Sequence, residues 1–319
     1  MVTLSSLLGT DALFLISGIL AVLMLGSVSG WLLKLFVAHQ QPHAVIDNVI
    51  VRVQAWWVIA ALVGLALLAG RIGVCLLFAF ASLIALREFV PLQVEHLGDR
   101  IMTVGAFYLV LPAQYFLVWH GDDQLLTLLI PSYSYLLLPL IAVLAGDARD
   151  LPRRAAPLQW GLMLCVLGIS FVPAVLTLQI PGYAGRTGSL LVFLLLVTQL
   201  GDVFQYLWGK LAGRHALAPT ISPSKTMEGL VGGVLSATAM AAALASITPF
   251  TPVEAALIAL VISLFGALGG LTLSAIKRDR GIKDWGTLIK GHGGMLDRLD
   301  SLCLSAPIFY YLVKFGWGG

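Results

Sequence analysis

Apolar runs long enough to cross a lipid bilayer recur from one end of this chain to the other. A helical crossing needs about 20 residues, because the hydrocarbon core of a bilayer is about 30 Å thick. Charged residues make up only 11% of the chain, whereas a soluble domain carries about 25%. The chain is therefore predicted to be an integral membrane protein. Its spans are expected to be helices, because a helix in lipid satisfies its backbone polar groups internally.

Ten spans can be drawn along the sequence, which predicts an all-α, polytopic helical bundle of about ten transmembrane helices. The spans cover residues 11–36, 54–70, 72–88, 100–119, 123–145, 158–180, 188–208, 229–248, 253–275 and 301–317. The second and third spans are divided only by Gly70 and Arg71.

Basic residues are distributed unevenly between the two sets of loops that ten spans create. Sixteen of the 19 lysines and arginines fall in one set, and only Arg71, Arg186 and Lys314 fall in the other. Basic loops stay on the cytoplasmic side of a membrane. The bias predicts that the basic loops face the cytoplasm and that both termini lie outside it. The net charge of +3 is thereby explained by topology, without a nucleic-acid partner.

An aspartate interrupts the seventh apolar run, and a polar segment follows that run. Asp202 within a span costs on the order of 2–3 kcal/mol unless it is paired or faces water, which makes it a candidate site residue. A hydrogen bond between packed helices is the alternative. The segment from Ile221 to Thr226 reads Ile-Ser-Pro-Ser-Lys-Thr. The hydroxyls of Ser222 and Thr226, a proline-fixed turn and the cation Lys225 suit phosphate binding.

A second polar segment, residues 274–301, contains six basic groups, four aspartates, one histidine and five glycines. One interpretation is a solvated loop that binds anionic lipid headgroups. The Gly-His-Gly-Gly run at 291–294 instead indicates a backbone that turns sharply and approaches a ligand closely. Asp297 and Asp300 are three residues apart, so on a helix they share one face. Paired carboxylates beside clustered cations suit a divalent metal ion that holds a polyphosphate.

Both segments resemble the motifs of the CDP-diglyceride synthase family, also called phosphatidate cytidylyltransferases. The C-terminal signature of that family is matched by Ser274, Lys277, Arg278, Lys283, Asp284, Gly286, Ile289, His292, Gly293, Gly294, Asp297, Arg298 and Asp300. Its upstream block is matched by Asp202, Ser222, Pro223, Lys225, Thr226, Glu228 and Gly229. At motif level the resemblance covers about residues 199–301, and the first 180 residues agree only in being multispan.

The resemblance implies a magnesium-dependent reaction in which phosphatidic acid and CTP give CDP-diacylglycerol and pyrophosphate. It implies that Asp297, Asp300 and Asp202 hold Mg²⁺ and form the catalytic set together with Lys225. The residues it implies for substrate binding are Ser222, Thr226, Lys277, Arg278, Lys283, Asp284, His292 and Arg298. The expected partners are CTP, phosphatidic acid or a similar lipid phosphate, and membrane lipids. No nucleic-acid partner is expected. The oligomeric state is left open, and a homodimer is one of the alternatives.

The motifs also suggest how the chain is organised. We expect one multispan membrane domain over residues 1–319, in which 188–319 is the catalytic half and the spans within 1–187 have no assigned role. Both motif segments fall in the basic loops. The active site is therefore expected to face the cytoplasm, where CTP is found, from a bacterial cytoplasmic (inner) membrane.

Four positions depart from the family pattern. Ahead of the signature the family carries Gly-Asp-Leu-x-Glu-Ser, but Gly270 replaces the expected metal-binding aspartate and Leu273 replaces the glutamate. Lys290 replaces a proline before the glycine turn, and Gly201 replaces an asparagine before the upstream aspartate. The missing carboxylate could be compensated by Asp202 or by Asp284. Alternatively, Lys290 could supply a positive charge that a second cation supplies elsewhere in the family.

These departures leave two alternatives to a phosphatidate cytidylyltransferase. One is a diverged family member with a different lipid-phosphate substrate or no activity. The other is a membrane transporter or lipid-binding protein. The polar residues concentrate at one membrane face, which favours an interfacial enzyme, because a transporter places its polar site near the midplane.

Overall fold

Helices form most of the computed structural model, which describes residues 10–36, 44–90, 97–146, 149–286 and 293–318. In chain order the elements are α1 Thr10–Phe36, α2 Ala44–Leu68, α3 Gly70–Phe89, α4 Leu97–His120, α5 Asp123–Leu144, α6 Leu151–Thr177, α7 Thr187–Ala212, β1 Ala216–Ala218, β2 Ser222–Thr226, α8 Met227–Ala243, α9 Pro252–Asp279, α10 Leu296–Leu299 and α11 Leu302–Trp317. Helices α4, α5 and α6 contain π turns, at Ala106–Val110, Leu129–Ser134 and Leu162–Gly168, and short 3-10 turns lie at Val175–Thr177 and Ala245–Ile247.

Six helices in the described ranges are long and apolar enough to cross a membrane, namely α3, α4, α5, α6, α7 and α9. They confirm the prediction of a helical membrane protein. Each of the ten predicted spans overlaps a helix, but α1, α2, α8 and α11 are not among those six. Ten crossings and the location of both termini therefore stay predictions.

Gly70 separates the second predicted span from the third, as the sequence indicated. Helix α2 ends at Leu68 and α3 begins at Gly70. The φ of Gly70 is +73°, a left-handed conformation that glycine adopts without a steric penalty. A change of chain direction at this point needs only one residue.

The segment after α7 is a short β-hairpin in an otherwise helical fold, and it corrects one expectation. The turn lies at residues 219–221 and not within Ser222–Thr226. Strands β1 and β2 are antiparallel, with Ala216 paired to Thr226 and Ala218 to Ser222. Pro223 is tolerated because each strand of a two-stranded sheet is an edge strand, where a missing N–H does not break the ladder.

Helices α7, α8 and α9 pack side by side, and α9 also packs against α11. Glycines bring α8 close to α7, because a side chain at Gly232 would overlap the ring of Trp208 and one at Gly233 would overlap Gln205. Small residues have this role at helix interfaces in membranes. Strand β2 contacts α7, α8 and α9, and α10 contacts α3. The motif residues are thereby gathered at one end of the bundle.

Candidate active site

Two of the predicted acids meet at this end of the bundle. Asp202 lies on α7, and Asp300 lies in a helical turn between α10 and α11. Their carboxylates repel one another, and the ammonium group of Lys225, near the end of β2, attracts both. Arg298 also attracts Asp202. All four side chains are half-buried, so their charges are screened less than they would be at an exposed surface.

Asp297, the third predicted acid, accepts hydrogen bonds on both carboxylate oxygens. Its Oδ1 accepts from Lys277 Nζ at 2.8 Å, and its Oδ2 accepts from the backbone N–H groups of Trp285 and Gly294 at 2.9 Å each. The Asp297 side chain is only 9% exposed, and a carboxylate this buried needs such partners. Asp297 thus ties the end of α9 to the loop that follows it, and its role as a metal ligand stays a prediction.

Glu88, near the end of α3, is a residue of this region that the motifs did not indicate. Its Oε1 accepts from the backbone N–H of Met295 at 2.9 Å, and its Oε2 accepts from that of Leu296 at 2.8 Å. N–H groups at the start of a helix have no partner within it. The only sequence signal was an acid beside Arg87 at the end of an apolar run, which is also typical of an ordinary residue at the membrane edge.

Glycines of the signature make room for these two carboxylates. A Cβ at Gly286 would lie 2.7 Å from Glu88 Oε1, and one at Gly294 would also overlap that carboxylate. At Gly293 φ is +78°, and a Cβ there would lie 2.6 Å from Asp297 Oδ2. The glycine turn was expected to let the backbone approach a ligand. At these three positions the backbone approaches carboxylates of the chain itself.

Two arginines fasten the loop after α9. Arg278, a predicted substrate-binding residue, donates from Nε to the carbonyl oxygen of Ile221 at 3.1 Å and from Nη1 to that of Ile282 at 3.3 Å. Arg280 donates to the carbonyl oxygen of Phe89 and lies 4.6 Å from the centre of that ring. Arg278 thereby links the loop to the hairpin, and Arg280 links it to α3.

The hairpin holds the two predicted hydroxyl donors at opposite ends of β2. Ser222 begins the strand, and Thr226 ends it and caps α8 with its side chain. Glu228, ahead of the predicted span that begins at residue 229, accepts from the backbone N–H groups of Arg214 at 3.0 Å and His215 at 3.2 Å. These donors lower the pKa of Glu228 to about 2, so the carboxylate stays ionised and fixes the hairpin to α8 at neutral pH.

Three predicted substrate-binding residues, and Lys290 of the departures from the family pattern, have no contact with the acid pair in the described part of the chain. Lys283 and Asp284 are exposed in the loop beyond α9. His292 and Lys290 are outside the described residues. The structure therefore brings together Asp202, Asp300, Lys225 and Arg298, and Lys277 and Asp297 also act electrostatically on Asp300. Asp284 is not among these residues.

Asp202 and Asp300 fit a magnesium ion that arrives with a nucleotide. Asp300 Oδ1 accepts from the backbone N–H of Ser301 at 2.8 Å, while its Oδ2 points toward Gly270. No group of three or more His, Cys, Asp or Glu side chains that could hold a metal ion occurs in the described part of the chain. Magnesium is often held by only one or two carboxylates, with substrate phosphates and water completing its shell. A two-carboxylate site is therefore chemically sufficient.

Comparison with known proteins identifies the family. The sequence profile of the cytidylyltransferase family matches residues 50–316. The chain belongs to the cytidylyltransferase family. It is 35% identical to the uncharacterized protein YnbB of Escherichia coli (strain K12) over 300 residues, which is 93% of this chain and 97% of that protein.

Two staphylococcal relatives have a named activity. The chain is 32% identical over 241 residues to the phosphatidate cytidylyltransferase of Staphylococcus saprophyticus, covering 74% of this chain and 87% of that enzyme. It is 30% identical over 264 residues to the phosphatidate cytidylyltransferase of Staphylococcus aureus (strain COL), covering 80% and 96%. The cytidylyltransferase match begins at residue 50. This corrects the expectation that the first 180 residues share only their multispan character.

Proposed function

We propose that this member of the cytidylyltransferase family transfers the cytidylyl group of CTP to a lipid phosphate, either phosphatidic acid or a close relative. The observation that carries the proposal is the convergence of Asp202, Asp300 and Lys225 from separate elements at one end of an apolar bundle. The names of the staphylococcal relatives support it. The basic loops support a site that faces the cytoplasm from a bacterial inner membrane.

In the proposed reaction, an oxygen of the lipid phosphate monoester attacks the α-phosphorus of CTP. One phosphorus–oxygen bond forms, the bond from the α-phosphorus to the oxygen that bridges it to the β-phosphate breaks, and the electron pair leaves with pyrophosphate. A phosphate monoester is largely doubly ionised at neutral pH, since its second pKa is about 6. The protein therefore needs no general base, and its contribution is positioning and charge neutralisation.

Different residues of the chain are proposed to provide metal binding, positive charge and positioning. Asp202 and Asp300 are the proposed ligands of Mg²⁺, which supplies positive charge to the triphosphate when bound. Lys225 contributes a further positive charge beside them. Asp297 and Glu88 hold the loop after α9 in place through the backbone N–H groups that they accept from.

The test is a substrate panel with the purified protein in lipid nanodiscs. CTP, Mg²⁺ and either phosphatidic acid or lysophosphatidic acid are supplied, and pyrophosphate and CDP-lipid are both measured. We expect equal amounts of the two products, a requirement for Mg²⁺, and a turnover in Asp297→Asn that falls roughly 10- to 100-fold because the loop after α9 loses an anchor. A staphylococcal relative assayed in parallel is the positive control. If that control is active and no lipid phosphate is turned over by this chain, the proposal is wrong and the inactive or diverged alternative stands.

A further inference from the structure

Gln199 lies on α7 about one turn before Asp202, and it is not among the residues that match the family motifs. Its side-chain Nε2 donates a hydrogen bond to the backbone carbonyl oxygen of Arg298 at 3.3 Å. Arg298 lies two residues before Asp300. One hydrogen bond therefore joins the two segments that carry the acid pair, within about one helical turn of each acid.

The carbonyl oxygen of Arg298 lies where one helix gives way to another. Two turn residues, Asp300 and Ser301, separate α10 from α11. The last four carbonyl groups of a helix have no partner within that helix, and a buried polar group without a partner costs free energy. Gln199 supplies such a partner from α7, so the turn that carries Asp300 is bonded to the helix that carries Asp202.

The acid pair needs a link of this kind because its two carboxylates repel one another. Both side chains are half-buried, where charges are screened weakly. The repulsion acts to move the turn that carries Asp300 away from α7, and the bond from Gln199 opposes that movement. An amide does so without adding a charge to the site.

Helix α9 bounds the same turn on another side. A Cβ at Gly269 would lie 2.6 Å from the carbonyl oxygen of Asp300, and one at Gly266 would meet Ser301 Cβ at 3.5 Å. Close packing thus limits movement of the turn toward α9, while the hydrogen bond from Gln199 limits its movement away from α7. This restriction matters for magnesium, which tolerates little departure from octahedral geometry.

We propose that Gln199 is a positioning residue for the acid pair. Its hydrogen bond to the carbonyl oxygen of Arg298 sets the separation of Asp202 and Asp300 that a shared divalent metal ion requires. Gln199 acts through the backbone of the turn and not by contact with CTP or the metal. This inference rests on the proposed function and deepens it, because it names a determinant of metal binding outside the motif residues.

The test separates metal-dependent from metal-independent nucleotide binding. CTP affinity is measured by calorimetry in nanodiscs, once with Mn²⁺ and once with EDTA, for the wild type and Gln199→Met. Methionine is also unbranched and flexible, but it has no N–H donor. We expect CTP binding with Mn²⁺ to weaken between about 10- and 100-fold, as is usual when a partner of a metal ligand is lost. Binding in EDTA should stay the same, and equal weakening in both conditions would contradict the inference.

Gln159→Met is the matched control. Gln159 Nε2 donates to the carbonyl oxygen of Tyr135 at 3.1 Å, so this change removes a bond of the same type, between α6 and α5. We expect its CTP affinity with Mn²⁺ to equal that of the wild type. If Gln159→Met weakens this binding as much as Gln199→Met does, the inference is wrong.

Hydrogen exchange measures the link directly and needs no nucleotide. Exchange in residues 296–302 should become faster in Gln199→Met and should stay at the wild-type rate in Gln159→Met. Unchanged exchange in Gln199→Met would overturn the inference, even if its activity were lower.

The inference and the proposed function can fail separately. A wild type that binds CTP with Mn²⁺, and shows the expected weakening in Gln199→Met, but forms no CDP-lipid, would support the inference and contradict the proposed function. A wild type that forms CDP-lipid, together with a Gln199→Met that binds CTP and Mn²⁺ as tightly, would support the proposed function and contradict the inference.

Discussion

Helix α11 has a cluster of charged residues at each end, and the two clusters differ in how completely their groups are paired. Near the end of the helix, Lys314 Nζ lies 2.8 Å from Asp123 Oδ2, and Tyr310 Oη donates to Asp123 Oδ1 at 2.7 Å. Both oxygens of Asp123 are thus occupied, one by a cation and one by a hydroxyl. This cluster ties α11 to the start of α5 and is complete without a ligand.

Just ahead of the start of α11, acids are crowded together. Asp300 and Asp202 repel one another and share the attraction of Lys225, to which Lys277 adds at Asp300 and Arg298 adds at Asp202. Like charges held together in a half-buried place cost free energy, and a packing role does not require them. The comparison teaches that pairing, and not the presence of charge, distinguishes a structural cluster from a candidate site in a membrane protein.

The largest expected effect tests the crowded cluster. Asp202→Asn removes a proposed metal ligand, so we expect CDP-lipid formation to fall roughly 1,000-fold. The unfolding temperature should stay the same or rise, because a repulsive charge has been removed. If activity falls less than about tenfold, the distinction between the clusters at the two ends of α11 is wrong. It is also wrong if Asp202→Asn loses activity only because it unfolds.

A smaller effect is expected at Glu88, which supports the candidate site without belonging to the acid pair. Glu88→Gln keeps one acceptor but turns an NH₂ group toward the second backbone N–H. We expect kcat to fall between about 10- and 100-fold, because small misplacements of catalytic groups have effects of this size. Hydrogen exchange should become faster in residues 294–299.

Arg87→Gln is the matched control, since Arg87 is the exposed neighbour of Glu88 in the same helical turn. Its kcat and its hydrogen exchange should match those of the wild type. Unchanged exchange in Glu88→Gln would contradict the assigned role of that carboxylate.

The smallest expected effect lies at the complete cluster. Lys314→Met removes one partner of Asp123, and we expect the free energy of unfolding to fall by roughly 0.5–1 kcal/mol, as is usual for partly exposed or intramembrane polar contacts. CDP-lipid formation should change less than about twofold. A large loss of turnover without a loss of stability would mean that this cluster also takes part in the chemistry.

The two acids could be foreseen from sequence as candidate site residues, whereas their pairing and their supports could not, since spacing paired Asp300 with Asp297. Asp202 and Asp300 are conspicuous because charged residues in or beside apolar runs must find partners. Glu88 is not conspicuous, since its partners are backbone N–H groups, which any sequence supplies. A pattern of residue types does not show which backbone N–H groups a carboxylate will contact.

The proximity of Lys225 to Gly270 also could not be predicted from the sequence. The motif indicated that an acid is missing, and the sequence pointed to Lys290, Asp202 or Asp284 as compensation. Only the packing of β2 against α9 places Lys225 at that position. A contact between side chains that are distant in sequence depends on how the elements pack, which local periodicity does not encode.

The most direct test of the account compares the two carboxylates that flank α11. Asp300→Asn and Asp123→Asn are purified in nanodiscs, and CDP-lipid formation from CTP and phosphatidic acid is measured beside thermal unfolding. The account predicts no product from a normally folded Asp300→Asn, and product at about the wild-type rate from an Asp123→Asn that unfolds at a lower temperature. Wild-type turnover in Asp300→Asn, or its loss in a stably folded Asp123→Asn, would contradict the account.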